Sequence, residues 1–145
     1  VGETLAREYH DRYSHFEGRR KYVHAAIYLL FDYEANLGSV LARGLQSLPG
    51  VHVQGITAPD AMDRRVPTVS FTVDGVSPDV IAEELGARNI FVWSGDMYAI
   101  EVTKLLGVED SGGVVRIGPV HYNSEDEVNS VLSALADILP RAAVA

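Results

Sequence analysis

The chain has 145 residues, 47% of them apolar and 22% charged, which suits one folded soluble domain with a buried core and not a disordered segment. A net charge of −8 argues against nucleic acid and anionic membrane surfaces as partners. The absence of cysteine excludes disulfides and any thiolate chemistry within the chain.

No apolar run approaches the roughly 20 residues of a membrane span, and Val1-Gly2-Glu3-Thr4 lacks a signal-peptide pattern. A cytoplasmic location is therefore the expectation. The missing initiator methionine fits a processed or excised piece.

Taken in order, Thr4 to Tyr13 reads as a short helix. His10 and His15 lie five apart, on different helix faces, which does not suit a metal pair. Arg19 to Leu48 reads as one long helix. Val23, Ala26, Ile27, Leu30, Leu37, Val40, Leu41, Leu45 and Leu48 recur mostly at three- and four-residue spacings, which predicts a core-facing stripe. Gly38 is its weak point and the expected place for a bend. Pro49-Gly50 ends it. At about 1.5 Å per residue the helix spans roughly 45 Å, more than a domain this small needs, so it is expected to reach another domain. The chain thus divides into a helical part, 1–48, and a small α/β part, 49–145.

Residues 51–56 alternate like a half-buried strand, and 57–65 read as an exposed loop. Residues 66–73 form the next strand, with Val69, Phe71 and Val73 on one face. Asp74-Gly75 turns the chain, and Ser77-Pro78 opens a helix that buries Val80, Ile81 and Leu85 and stops near Gly86. A strand at 90–93 and a loop at 94–96 follow. The helix expected over 97–106 has Tyr98, Val102, Leu105 and Leu106 as its apolar side. A strand at 114–118 leads into a last helix that buries Val128, Val131, Leu132, Leu135, Ile138 and Leu139. Asn123 or Ser124 should cap it, with Glu125, Asp126 and Glu127 at the positive end of its dipole. The sum is an α/β (α+β) unit, a three- or four-stranded, mostly antiparallel sheet with helices on one face.

The strand at 114–118 carries one arginine, Arg116, beside a helix start. A guanidinium offers a planar fork that matches a carboxylate bidentately. On the residues alone, Arg116 is either an anion-binding group or the partner of a surface carboxylate. The five histidines lack metal-ligand spacing, so no metal is expected. Ser70, Ser77 or Ser94 with His121 and Asp96 makes no hydrolase triad without a Gly-x-Ser-x-Gly elbow.

Three strings carry a family resemblance. VVRIGPVHYNSEDEV (Val114–Val128), RRVPTVSFTVDG (Arg64–Gly75) and NIFVWSGDMYAIEVTKLLG (Asn89–Gly107) resemble, in order and spacing, the class V pyridoxal-phosphate enzymes. Their cysteine-desulfurase-like subgroup is the nearer likeness, with its Arg-Ile/Val-Gly-x-x-His-Tyr-Asn-Thr/Ser string before the last helix. The similarity runs from about Arg19 to Leu139. It implies the small C-terminal domain of a fold-type I enzyme, joined by the long helix to a large pyridoxal-phosphate-binding domain, in a homodimer.

It also implies that Arg116 grips the α-carboxylate of a small amino-acid substrate. Trp93 and Tyr98 then either shape the substrate pocket or pack between sheet and helix, and His121 either lines the cleft or fills a pocket. Tyr98 stands about where cysteine desulfurases carry the cysteine that takes up sulfur, which sets sulfur transfer aside and leaves transamination or lyase chemistry. The cofactor is held as a Schiff base on a lysine. Lys21 and Lys104, the only lysines, are not in the context of that lysine, so the chain alone is expected to be inactive. The alternative is a free-standing carboxylate-binding or dimerisation module.

Overall fold

In a computed structural model the described residues are Thr4, His15 and 17–142, the side chains of Arg141 and Ala142 excepted. The short helix expected over Thr4 to Tyr13 and the position of His10 otherwise lie outside them. Helix α1 is Gly18–Ser47. Its C-terminal half meets the predicted stripe, with Leu37, Leu41 and Leu45 at most 1% exposed. Its N-terminal half does not, for Val23 and Ile27 stand exposed together with Tyr22, Tyr28 and Phe31. Gly38, expected at a bend, is instead where the Pro67 backbone crosses, 2.7 Å from where a Cβ would sit.

Strands β1 (Val51–Val53), β2 (Val69–Val73), β3 (Trp93–Gly95) and β4 (Val114–Ile117) make one antiparallel sheet in the order β1-β2-β4-β3. The strands are shorter than the sequence suggested. β1 stops at Val53, after which Gln54 N–H donates once more to Ser70 O at 2.8 Å. β2 starts only at Val69, since Pro67 has no N–H to give a ladder. β3 is displaced from 90–93 to 93–95. The Ile90 N–H is taken by Leu85 O at 3.0 Å, which ties that residue to the preceding helix.

Directly opposed residues of an antiparallel pair project to the same face. Phe71 opposes Val53 and Val115, and Val69 opposes Ile117, so these make the inner face. Against it pack α1, α2 (Pro78–Gly86) and α4 (Glu125–Ala142), through Leu41, Leu45, Ile81, Leu85, Leu135 and Ile138. Ser77 caps α2 as expected, its Oγ accepting from Asp79 N–H at 3.3 Å, but Val80 points outward and Pro78 is buried in its place.

Ser124 caps α4 reciprocally. Glu127 N–H donates to Ser124 Oγ at 3.2 Å, and Ser124 N–H donates to Glu127 Oε2 at 2.7 Å. Asn123 is spent on the turn before it, with Oδ1 accepting from Val120 N–H at 3.0 Å.

Helix α3 (Ile100–Leu105) departs furthest from expectation. It starts three residues late because Met97 and Tyr98 have φ of 51° and 64°, which a right-handed helix cannot include. Its buried residue is Thr103, whereas Tyr98, Val102, Leu105 and Leu106 are exposed. The segment expected as a plain loop at 57–65 holds a 3₁₀ turn, Pro59–Arg64. Among the described residues no helix is long and apolar enough to cross a membrane.

Candidate functional site

The strand alternation that buries Phe71 and Val115 turns their neighbours to the opposite face. Arg116 opposes Ser70 on β2 and Trp93 on β3, so three side chains share one line across that outer face. α3 and the loop before it stand over part of the face. Together they leave a cavity of about 380 Å³, lined by Ser70, Val114 and Arg116 from the sheet and by Val102, Thr103 and Leu106 from the helix side.

Among the described residues the Arg116 guanidinium has no hydrogen bond or ion pair. It is half-buried at the cavity wall. Among the described residues no carboxylate pairs with it, so its donors face the cavity.

Two other charges reach the cavity. Arg65 is committed to backbone, its guanidinium donating to the Ile56, Thr68 (3.1 Å) and Val66 (3.4 Å) carbonyls, and burial lowers its pKa. Asp96 Oδ1 accepts from Tyr98 N–H at 3.0 Å. Two guanidinium groups against one carboxylate leave the cavity net positive.

The other predicted site residues are placed apart from it. Trp93 is 67% exposed beside Arg116 at the sheet edge, and Tyr98 is fully exposed on the loop. The packing of these aromatics between sheet and helix, one of the two alternatives, does not occur. His121 does not line the cavity. Its main-chain N–H donates to Glu34 Oε1 at 2.9 Å, and its Nδ1 lies 3.0 Å from the same oxygen.

A larger depression of about 520 Å³ lies between residues 89–92 and the start of α4. Its charged lining residue is Glu127, an acid, which disfavours an anionic ligand. Among the described residues no group of three His, Cys, Asp or Glu side chains is placed to hold a metal.

Sequence reasoning missed Ser70, Arg65 and Glu34. The alternation that buries Val69 and Phe71 could have put Ser70 beside Arg116. Glu34 acts through a contact 87 residues along the chain, which no local signal marks, whereas the carbonyls that hold Arg65 lie one to nine residues from it.

Three comparisons bear on this geometry. Residues 25–131 match the family model described as aminotransferase class-V. The aminotransferase-like protein FGM3 of Gibberella zeae is 37% identical over 110 residues, covering 74% of this chain and 27% of that protein. The cysteine desulfurase-like protein ustD of Aspergillus flavus is 36% identical over 111 residues, covering 74% and 25%. Among solved structures, the apo cysteine desulfurase of Thermococcus onnurineus superposes with a TM-score of 0.72 at 29% identity. That match covers 84% of this chain and 29% of the other. The chain therefore spans about a quarter of the length of these curated relatives.

Proposed function

The chain belongs to the aminotransferase class-V family, and from that premise we propose that it is the substrate-side small domain of an enzyme acting on a small amino acid. In this reading Arg116 holds the substrate α-carboxylate. One observation carries the proposal: a half-buried guanidinium, without a partner among the described residues, on the wall of a cavity with net positive charge. Strand β4 fixes the position of the Arg116 Cα through pairing on both sides, so the side chain springs from a rigid base.

Trp93 would flank the carboxylate from the neighbouring strand. Tyr98 and His121, which lie outside the cavity wall, would reach substrate only across the gap closed by the remainder of the protein.

Pyridoxal phosphate is typical of the family, and it supplies the electron sink for amino-acid chemistry when bound. The residues of this chain do not fit it alone. Lys104 is paired with Glu101 at 3.3 Å on the outside of α3, Lys21 lies in the first turn of α1, and neither lines the Arg116 cavity. A large domain outside this chain would provide the lysine and the phosphate site. The uncovered apolar side of α1, with Val23, Ile27 and Phe31, supports α1 as the inter-domain helix that leads into residues 49–145. The same surface favours a second reading, in which the chain is a free-standing module that pairs through α1.

The test is Arg116→Lys in the full-length enzyme. Replacing a bidentate fork by a point charge should raise KM and lower kcat/KM by about 2–5 kcal/mol of transition-state stabilisation. Unchanged kinetics would overturn the assignment.

A further inference from the structure

The wall facing Arg116 is largely apolar, with Asp96 at its loop end. Val102 is 54% exposed and Leu106 40% exposed, yet both line the cavity. The buried side of α3 is Thr103, whose Oγ1 is occupied by Ile100 O at 2.9 Å, leaving its methyl group to the surroundings. Met97, placed by its left-handed backbone, and Val114 extend the same surface. A cation on one wall and uncovered aliphatic side chains on the other make a site with two different demands.

We infer that the Arg116 cavity selects carboxylates that carry an apolar chain, and that Val102 and Leu106 form the selecting wall. This rests on the reading of Arg116 as a carboxylate-binding group and adds the substrate class. A small polar side chain on the substrate leaves Val102 and Leu106 in water. A branched aliphatic one covers them, at a gain of about fourfold in affinity per buried methylene. The cavity volume of about 380 Å³ lies within the range of small-molecule sites and has room for such a chain beyond the carboxylate. Neutralising the carboxylate is left to Arg116, since the donors of Arg65 are spent on backbone carbonyls.

Trp93 is the single tryptophan and lies directly opposite Arg116, which makes its fluorescence a local reporter. The experiment titrates the 145-residue chain with acetate, 4-methylpentanoate and 4-methylpentanamide, in wild type and in Val102→Ser, Leu106→Ser and Arg116→Gln. The expected result is 4-methylpentanoate binding at least about tenfold tighter than acetate. Each serine variant should reduce that ratio at least about threefold. The amide should bind weakly, and Arg116→Gln should abolish the response to both acids. Val102 and Leu106 are exposed, and an unchanged far-ultraviolet circular dichroism spectrum of each serine variant keeps the comparison valid.

Equal affinity for acetate and 4-methylpentanoate, both lost in Arg116→Gln, would overturn the apolar wall and leave the carboxylate reading standing. An undiminished ratio in both serine variants would do the same. A response that survives Arg116→Gln, amide binding equal to acid, or no response to any of the three probes would overturn both.

Discussion

Tyr33 Oη donates to the main-chain carbonyl of Asn123 at 2.7 Å, joining the middle of α1 to the turn that follows the Arg116 strand. One residue further along α1, Glu34 Oε1 accepts from the His121 N–H of the same turn. Two contacts 90 and 87 residues apart in sequence thus tie the exit of β4 to the long helix. Removing Tyr33 Oη leaves a carbonyl that water can reach, so Tyr33→Phe should cost only about 0.5–1.5 kcal/mol of stability. Glu34→Ala should cost more, about 1–3 kcal/mol, because a main-chain N–H loses its charged acceptor. Urea midpoints measure both, and equal effects would show that the Glu34 contact is weaker than its geometry indicates.

Gly38 and Gly44 lie on the same helix and should respond differently to alanine. At Gly38 the new Cβ meets backbone, Pro67 Cα, which cannot rotate away. The overpacking cost of about 1–3 kcal/mol outweighs the helix-propensity gain of about 1 kcal/mol. At Gly44 the obstruction is the end of the Leu132 side chain, which can adopt another rotamer, so the gain and the repacking cost should nearly cancel. Thermal unfolding of the two variants checks this. A Gly38→Ala protein as stable as wild type would mean that the Pro67 crossing yields easily.

Glu127 supplies a pH dependence. The Ser124 main-chain N–H, then the Asn123 side chain, donate to its carboxylate and lower its pKa below the ordinary value near 4.3. Because the folded value is the lower one, the stabilisation is full above the unfolded value and is lost as pH falls through the folded value. The stability difference between wild type and Glu127→Gln should therefore be largest near neutral pH and shrink in acid below about pH 4. A difference that is constant with pH would remove the charge from the cap.

The cofactor gives a prediction about the chain by itself. Lys104 is paired with Glu101, Lys21 sits at the start of α1, and neither lines the Arg116 cavity. After incubation with pyridoxal phosphate and desalting, the 145-residue chain should retain no cofactor absorbance. Stoichiometric retention, lost in Lys21→Ala or Lys104→Ala, would contradict the assignment of the cofactor site to another domain.

Much of the architecture was legible because it rests on short-range patterns. The alternation of Val69, Phe71 and Val73, the Ser77-Pro78 helix start and the periodic apolar residues of α4 each show which side is inward. The stretch 90–106 was misread because two backbone features within or next to it override the apolar pattern. Leu85 claims the Ile90 N–H, delaying β3, and the left-handed Met97 and Tyr98 delay α3. The exposure of Val23 and Ile27 has a related cause, since a stripe in sequence does not tell which body covers it.

The site was half legible. Arg116 stood out as the one guanidinium within an apolar strand; its face was not assigned, though strand alternation could have given it. That its donors have no partner among the described residues, and that Val102 and Leu106 share its cavity, depends on how α3 returns over the sheet. No local pattern encodes that. The contact of His121 with Glu34 spans the whole unit in the same way.

The most direct measurement compares an amino acid with its α-carboxamide in the full-length enzyme, before and after Arg116→Leu. The account predicts that wild type favours the acid by about 2–5 kcal/mol in kcat/KM and that the variant loses most of that preference while still processing the amide. A variant that keeps the wild-type preference for the acid would place the carboxylate elsewhere and contradict the role of Arg116.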